Sequence, residues 1–234
     1  MNRGMAVGMV MVMVAGLPLR GWATDQDRAE PESVQEPAPM MIKYTPPRMG
    51  MPGVRIGGGS RGESGDSLSL VAIVPDHVAL SAKPNPSLCW HQAKATTIKR
   101  AIVVDDGQSV KPILEQEIGE PNRAGIQCVN LQRFGVALKP EVEYRWFIDA
   151  IIDSAHRSKD VVSGGAVMFK QPAPDLAAKL KGATGPALPP LLAANGYWYD
   201  AFEGVLAGLQ EQPASAQYQE MKGLLLLQVG LPRY

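Results

Sequence analysis

The stretch LKPEVEYRWFIDAIID, residues 138–153, says more about architecture than any other part of the chain. From Val142 its side chains alternate. Tyr144, Trp146, Ile148, Ala150 and Ile152 fall on one face, and Arg145, Asp149 and Asp153 on the other. A period of two over this length describes a strand with one face buried and one in water. Before the strand, Leu138, Pro140 and Tyr144 stand at the spacing Leu-x-Pro-x-x-x-Tyr.

Outward from this run, six more segments between residues 66 and 170 read as strands. They are SLSLVAIV (67–74), SLCWHQ (87–92), TTIKRAIVV (96–104), SVKPILEQEI (109–118), AGIQCVNL (124–131) and VVSGGAVMFK (161–170). Asp106-Gly107 is a two-residue hairpin signal between two of them. Seven short strand candidates with turn signals between them, and no helix, argue for an antiparallel sandwich. The Leu138, Pro140 and Tyr144 spacing resembles the corner before the sixth strand of fibronectin type III domains, where the tyrosine hydroxyl bonds back to nearby backbone. Trp90 is placed like the core tryptophan of such domains.

After Gln171 the period lengthens. PAPDLAAKLKG suits a short helix ending at Gly182, and PALPPLLAANG a second, poorer one. YWYDAFEGVLAGLQEQ sets Trp198, Ala201, Phe202, Val205, Leu206 and Leu209 along one helical face. Beyond Pro213, ASAQYQEMKGLLLLQVG does the same with Tyr218, Met221, Leu224, Leu225 and Val229. Two amphipathic helices with a short link form an αα-hairpin, superficially similar to a tetratricopeptide unit. One such unit buries no face of its own, so it packs on the sandwich or on a partner. The fold class is α+β: an antiparallel immunoglobulin/fibronectin-III-like β-sandwich (63–171) followed by a C-terminal helical region (172–234).

The first residues read as an export signal. Arg3 supplies the positive start, Met5 to Leu19 an apolar core, and Gly21-Trp22-Ala23 a small-residue site with cleavage after Ala23. The rival, an uncleaved anchor, is disfavoured by Gly16 and Pro18 and by the short run. Residues 24–62 are rich in Glu, Gln, Pro, Ser and Gly and read as an extended arm. The chain holds 23 basic and 23 acidic residues; losing Arg3 and Arg20 leaves 21 basic against 23 acidic. This lacks the electrostatic footprint of a nucleic-acid binder. Cys89 and Cys128, separated by 39 positions, form a disulfide or remain two small buried side chains. The scarcity of free thiols in exported proteins favours the bridge.

The stretch RIGGGSRG (55–62) invites chemical readings. No lysine follows the glycines as a phosphate loop requires, and no helix follows as a dinucleotide site requires. Gly58-Gly59-Ser60-Arg61-Gly62 matches Gly-x-Ser-x-Gly literally, but without the strand-to-helix turn that exposes a catalytic serine. Asp105-Asp106 suits a turn, Glu115 and Glu117 a solvated face, and Asp149 and Asp153 share a face with Arg145 nearby. Nothing selects a glycosidase pair or a calcium loop. A mechanical role remains: glycines that fold the arm back against a sheet edge, or a flexible linker.

PPRMGMPGVRIGGGSRG, LSLVAIVP, LCW, LKPEVEYRW and NGYWYDAFEGVL, in that order, resemble the bacterial family called domain of unknown function 928 over roughly residues 45 to 230. The resemblance implies export and the sandwich-plus-helices fold, and assigns no activity. The expected function is a non-catalytic envelope protein, periplasmic or secreted. Its helical hairpin or its arm (Arg55, Gly57, Gly58, Gly59, Ser60, Arg61, Gly62) would meet a protein partner. Two other readings stand beside it. One is a hydrolase using Ser60 or a carboxylate pair. The other is a glycan or small-ligand binder, which needs Trp90, Trp146 or Trp198 exposed. No cofactor, no nucleic acid and no membrane span after cleavage are expected.

Overall fold

The structure, a computed structural model, describes residues 41–48, 55–59, 69–119 and 123–234. The expected signal, most of the arm, and Ser60, Arg61 and Gly62 lie outside the described residues. Each of the seven strand candidates forms a strand: β2 (Ser69–Ala72), β4 (Ser87–Gln92), β5 (Arg100–Asp105), β6 (Leu114–Ile118), β7 (Gly125–Asn130), β8 (Glu143–Ala150) and β9 (Val161–Phe169). Two more were not expected: β1 (Gly57–Gly59) and β3 (Ala79–Ser81). One sheet has the order β1-β2-β4-β7 and the other β3-β9-β8-β5-β6. The expected wholly antiparallel arrangement needs one correction, because β3 runs parallel to β9 through Ala79↔Val167. The chain leaves β2, turns at Pro75-Asp76, borders the second sheet as β3, and returns to the first as β4.

The alternation that opened the sequence reading sets the register of β8. Trp146 lies opposite Val104 on β5 and Gly165 on β9, and Ile148 opposite Ile102 and Ser163. Tyr144, Trp146, Ile148 and Ala150 are buried; Ile152 is exposed, because the strand ends at Ala150. Gly165 is required by crowding, since a Cβ there would collide with Val74 across the core. Asp106-Gly107 opens a longer loop over 106–113 rather than a two-residue hairpin. The Asp106 carboxylate accepts from the N–H groups of Gln108 and Ser109 and stabilises the wider turn.

Four helices follow: α1 (Pro174–Gly182), α2 (Leu188–Ala194), α3 (Trp198–Glu211) and α4 (Ala216–Gln228). α3 and α4 form the expected hairpin, with Tyr218 of α4 seated where Gly208 of α3 has no side chain. The hairpin packs on the sandwich. Trp198 Nε1 donates to Ile73 O at 3.1 Å. Trp146 Nε1 donates to the Tyr199 hydroxyl at 2.9 Å, which donates on to Ala166 O at 2.9 Å. One hydrophobic core runs from Ile42 through the sandwich to Leu231, and residues 37–234 form one unit. The border expected at residue 172 is thus a change of element and not of unit. The arm is corrected too: Ile42 and Tyr44 are core residues.

Candidate functional site

Several residues singled out from sequence turn out to be employed inside the fold. Gly57, Gly58 and Gly59 pair antiparallel with Val71, Leu70 and Ser69. One residue earlier the chain crosses to the other sheet, where Ile56 and Gly164 exchange two backbone bonds of 3.0 and 3.2 Å. Ser163 fills the gap at this crossing: its hydroxyl accepts from Ala72 N at 2.9 Å and donates to Ile56 O at 2.8 Å. Arg55 anchors the segment by donating to Val74 O and to Val229 O at the C-terminal end of α4. A cation there faces the negative end of the helix dipole. The glycine stretch therefore covers a sheet edge and bridges the two sheets.

Cys89 and Cys128 are disulfide-bonded directly across β4 and β7, with Cα atoms 4.1 Å apart. Such closeness belongs to the non-hydrogen-bonded pairs of an antiparallel ladder. At the corner before β8, Lys139 N donates to the Tyr144 hydroxyl at 3.2 Å, and the turn passes through Glu141 at φ 59°. Leu138, Pro140 and Tyr144 thus lie together around the corner, with Leu138 and Tyr144 buried and Pro140 bridged to Phe169. Trp90, Trp146 and Trp198 are all buried, so none forms an exposed platform for a sugar.

The carboxylates are engaged separately. Glu117 pairs with Lys99 at 3.2 Å on the exposed strand β6, which also carries Glu115. Asp153 accepts from Ala155 N at 2.9 Å and lies 2.8 Å from His156 Nδ1, and these bonds hold it below the usual carboxylate range. Asp149 faces Arg157 at 3.7 Å. Burial pushes it up to about 6, opposed by Arg157. Among the described residues no group of His, Cys, Asp and Glu is placed to hold a metal ion, and no helix is long and apolar enough to cross a membrane.

Two clefts flank the docked arm. On one side, of about 350 Å³, Tyr44 OH and His77 Nε2 are hydrogen-bonded at 2.9 Å beside Asp76 and Gln228. Burial raises the Tyr44 phenol and lowers His77, with Asp76 partly opposing the latter. A phenol held protonated against a neutral imidazole is a strut that fixes the arm. Gln228 adds to it by accepting from Tyr44 N at 2.8 Å and donating to Ile42 O at 3.1 Å.

On the other side lies a cleft of about 340 Å³ drawn from five separate segments. The arm contributes Pro47 and Arg48, β3 contributes Leu80, and the exit of β9 contributes Lys170 and Gln171. Leu176 comes from α1, and Asn195 and Tyr197 from the turn into α3. Thr45 N donates to Ala193 O at 3.0 Å and Leu80 N to Gly196 O at 3.2 Å, so arm, β3 and turn are bonded together. Gly196 is needed for its backbone: its φ is 84°, a conformation that residues with a side chain rarely adopt. Arg48 and Lys170 make the cleft cationic, and no carboxylate lines it.

Sequence reasoning missed this cleft, although Pro47 and Arg48 from one quoted motif segment and Asn195 and Tyr197 from another meet in it. A family model described as Domain of Unknown Function (DUF928) matches residues 56–234. No curated protein matches the chain.

Proposed function

We propose that this chain, which belongs to the DUF928 family, is a non-catalytic exported binding module of the cell envelope. Its partner engages the cationic cleft beside the arm. The observation that carries the reading is how the cleft is made: five distant segments converge on it, and the arm, β3 and the turn into α3 are joined there by backbone hydrogen bonds. A preformed concave site with a few placed polar groups is what a binding module requires.

Export is supported by the apolar run of residues 5–19 and by the Cys89–Cys128 bridge, a linkage that persists in oxidising compartments. The strand frame is of the fibronectin type III kind. β2, β4 and β7 face β6, β5, β8 and β9, and the Tyr144 corner precedes the sixth of these seven strands. The disulfide lies within one sheet, unlike the inter-sheet bridge of antibody domains. In place of the whole arm, the cleft becomes the partner surface, because β1 and Tyr44 are spent on the fold.

Photo-crosslinking in the source envelope tests this. A crosslinking residue at Arg48, Gln171 or Asn195 is expected to trap one discrete partner, and the same residue at Gln116 on exposed β6 is not. Trapping at Gln116 alone, or equally at all four positions, overturns the assignment of the cleft.

A further inference from the structure

The Cys89–Cys128 bridge joins two unlike positions. Cys89 lies on β4, which has β2 on one side and β7 on the other. Cys128 lies on β7, the margin of that sheet among the described residues. Cys89 is accordingly 4 % exposed, while Cys128 is exposed. We infer that this bridge is a thiol–disulfide exchange site, opened at the Cys128 sulfur by a dithiol protein that approaches along the edge of β7. The inference is independent of the cleft.

The ladder shows why the edge is accessible. Cys89 O accepts from Ile73 N at 2.9 Å, so Cys89 turns its backbone polar groups toward β2. Its directly opposed partner, Cys128, therefore turns its own N–H and C=O away from β4, toward the open edge. No described strand pairs with that side of β7. An extended segment of an incoming protein finds main-chain partners beside the exposed sulfur.

Charge points the same way. Residues Gly125–Asn130 carry no ionisable side chain other than the bridged cysteine, whereas β6, a margin of the other sheet, carries Glu115 and Glu117. Charged residues guard an edge strand against incoming chains, and β7 lacks that guard. No carboxylate on the strand repels a thiolate.

The exchange balances with a dithiol as reductant. Its thiolate attacks Cys128 Sγ and forms a mixed disulfide. The Cys89–Cys128 bond breaks, and its electron pair leaves on Cys89 Sγ, which takes a proton from water. The second thiol of the reagent then displaces Cys128, so the dithiol is oxidised to a disulfide and the bridge is reduced by two electrons. The fold tolerates the change. Pairing of β4 with β7 runs from Ser87↔Asn130 to Gln92↔Gly125 without the sulfurs. Asn130 Nδ2 donates to Asn85 O at 3.0 Å, and Arg100 donates to Gln127 Oε1 at 2.7 Å, so both halves of β7 stay anchored. Exposed disulfides are the labile ones.

The test uses oxidised residues 24–234 and a thioredoxin-type probe whose resolving cysteine is replaced by serine, so that the mixed disulfide is trapped. Acid quenching, alkylation and peptide mass spectrometry locate it. The probe is expected on Cys128, with Cys89 recovered as the alkylated thiol. Trapping should be slower in the folded protein than in urea by less than about a hundredfold, whereas attack that waits for global unfolding is slower by about a thousandfold or more. A probe found on Cys89, or equally on both cysteines, overturns the inference. So does a folded rate suppressed by about a thousandfold, which marks a bridge that only staples the fold.

Discussion

Asp200 shows how one side chain is placed at a cost that pH controls. It sits in the first turn of α3, is 6 % exposed, and accepts from Ala82 N, with Lys83 and Glu203 as its charged neighbours. Burial is the largest cause of its pKa rising to about 6, with the Ala82 bond and Lys83 opposing. A carboxyl whose folded pKa lies above its unfolded value stabilises the fold below the unfolded pKa and loses that contribution as pH rises through the folded one. The window is therefore from about pH 4 to about pH 6.5. Asp149 acts with the same sign, while His77 and His91, lowered by burial, act with the opposite one. The difference between wild type and Asp200→Asn isolates the single group, because asparagine keeps the acceptor for Ala82 N. Its stability relative to wild type should be nearly unchanged near pH 4 and should grow by about 2–3 kcal/mol by pH 7.5. Urea denaturation across that range is the measurement. Parallel pH curves for the two proteins would show that Asp200 is charged in the fold without penalty.

At the scale of elements, β1 is the piece that joins the sheets. Its three glycines pair with β2, and Ile56 pairs with Gly164 on β9. The Ser163 hydroxyl serves both sides of the crossing. Ser163→Ala should lower stability by about 1–3 kcal/mol, because it leaves the Ala72 N–H without an acceptor at a buried position. Denaturation at fixed pH reads this directly, and a loss below a few tenths of a kcal/mol would mean that backbone pairing alone holds the crossing. Such elements mark where the sequence was legible. The seven strands and the helices carry their own periodicity, two or 3.6, and each could be read alone. The tyrosine corner was legible for the same reason, being set by local spacing. β1 has no side chains to alternate, and β3 is only three residues beside a Pro-Asp turn, so neither has a local signal. The arm was misread because its Pro and Gly content looks like linker, while Ile42 and Tyr44 are buried, with Tyr44 bonded to Gln228, 184 positions further along the chain. The cleft is the extreme case: its five segments have no sequence relation until α3 docks, and only Pro47, Arg48, Asn195 and Tyr197 stood in the quoted family motifs.

At the scale of the molecule, arm, sandwich and helices share one core. Trp198 and Tyr199 bond into the sandwich, Tyr44 packs edge-on against Trp198 at 5.1 Å, and His91 on β4 stacks at 3.7 Å on Tyr234. A sandwich cut away from its helices would expose Trp146 Nε1 and the apolar face that α3 covers, and would lose two walls of the cleft. The cleft takes its walls from arm, sandwich and helices alike, so the functional proposal depends on these three folding as one unit. Calorimetry of residues 24–234 tests this most directly. A single transition with equal calorimetric and van't Hoff enthalpies is expected, with residues 24–171 alone showing no cooperative transition. Two resolved transitions, or a folded 24–171 fragment with native stability, would contradict the account.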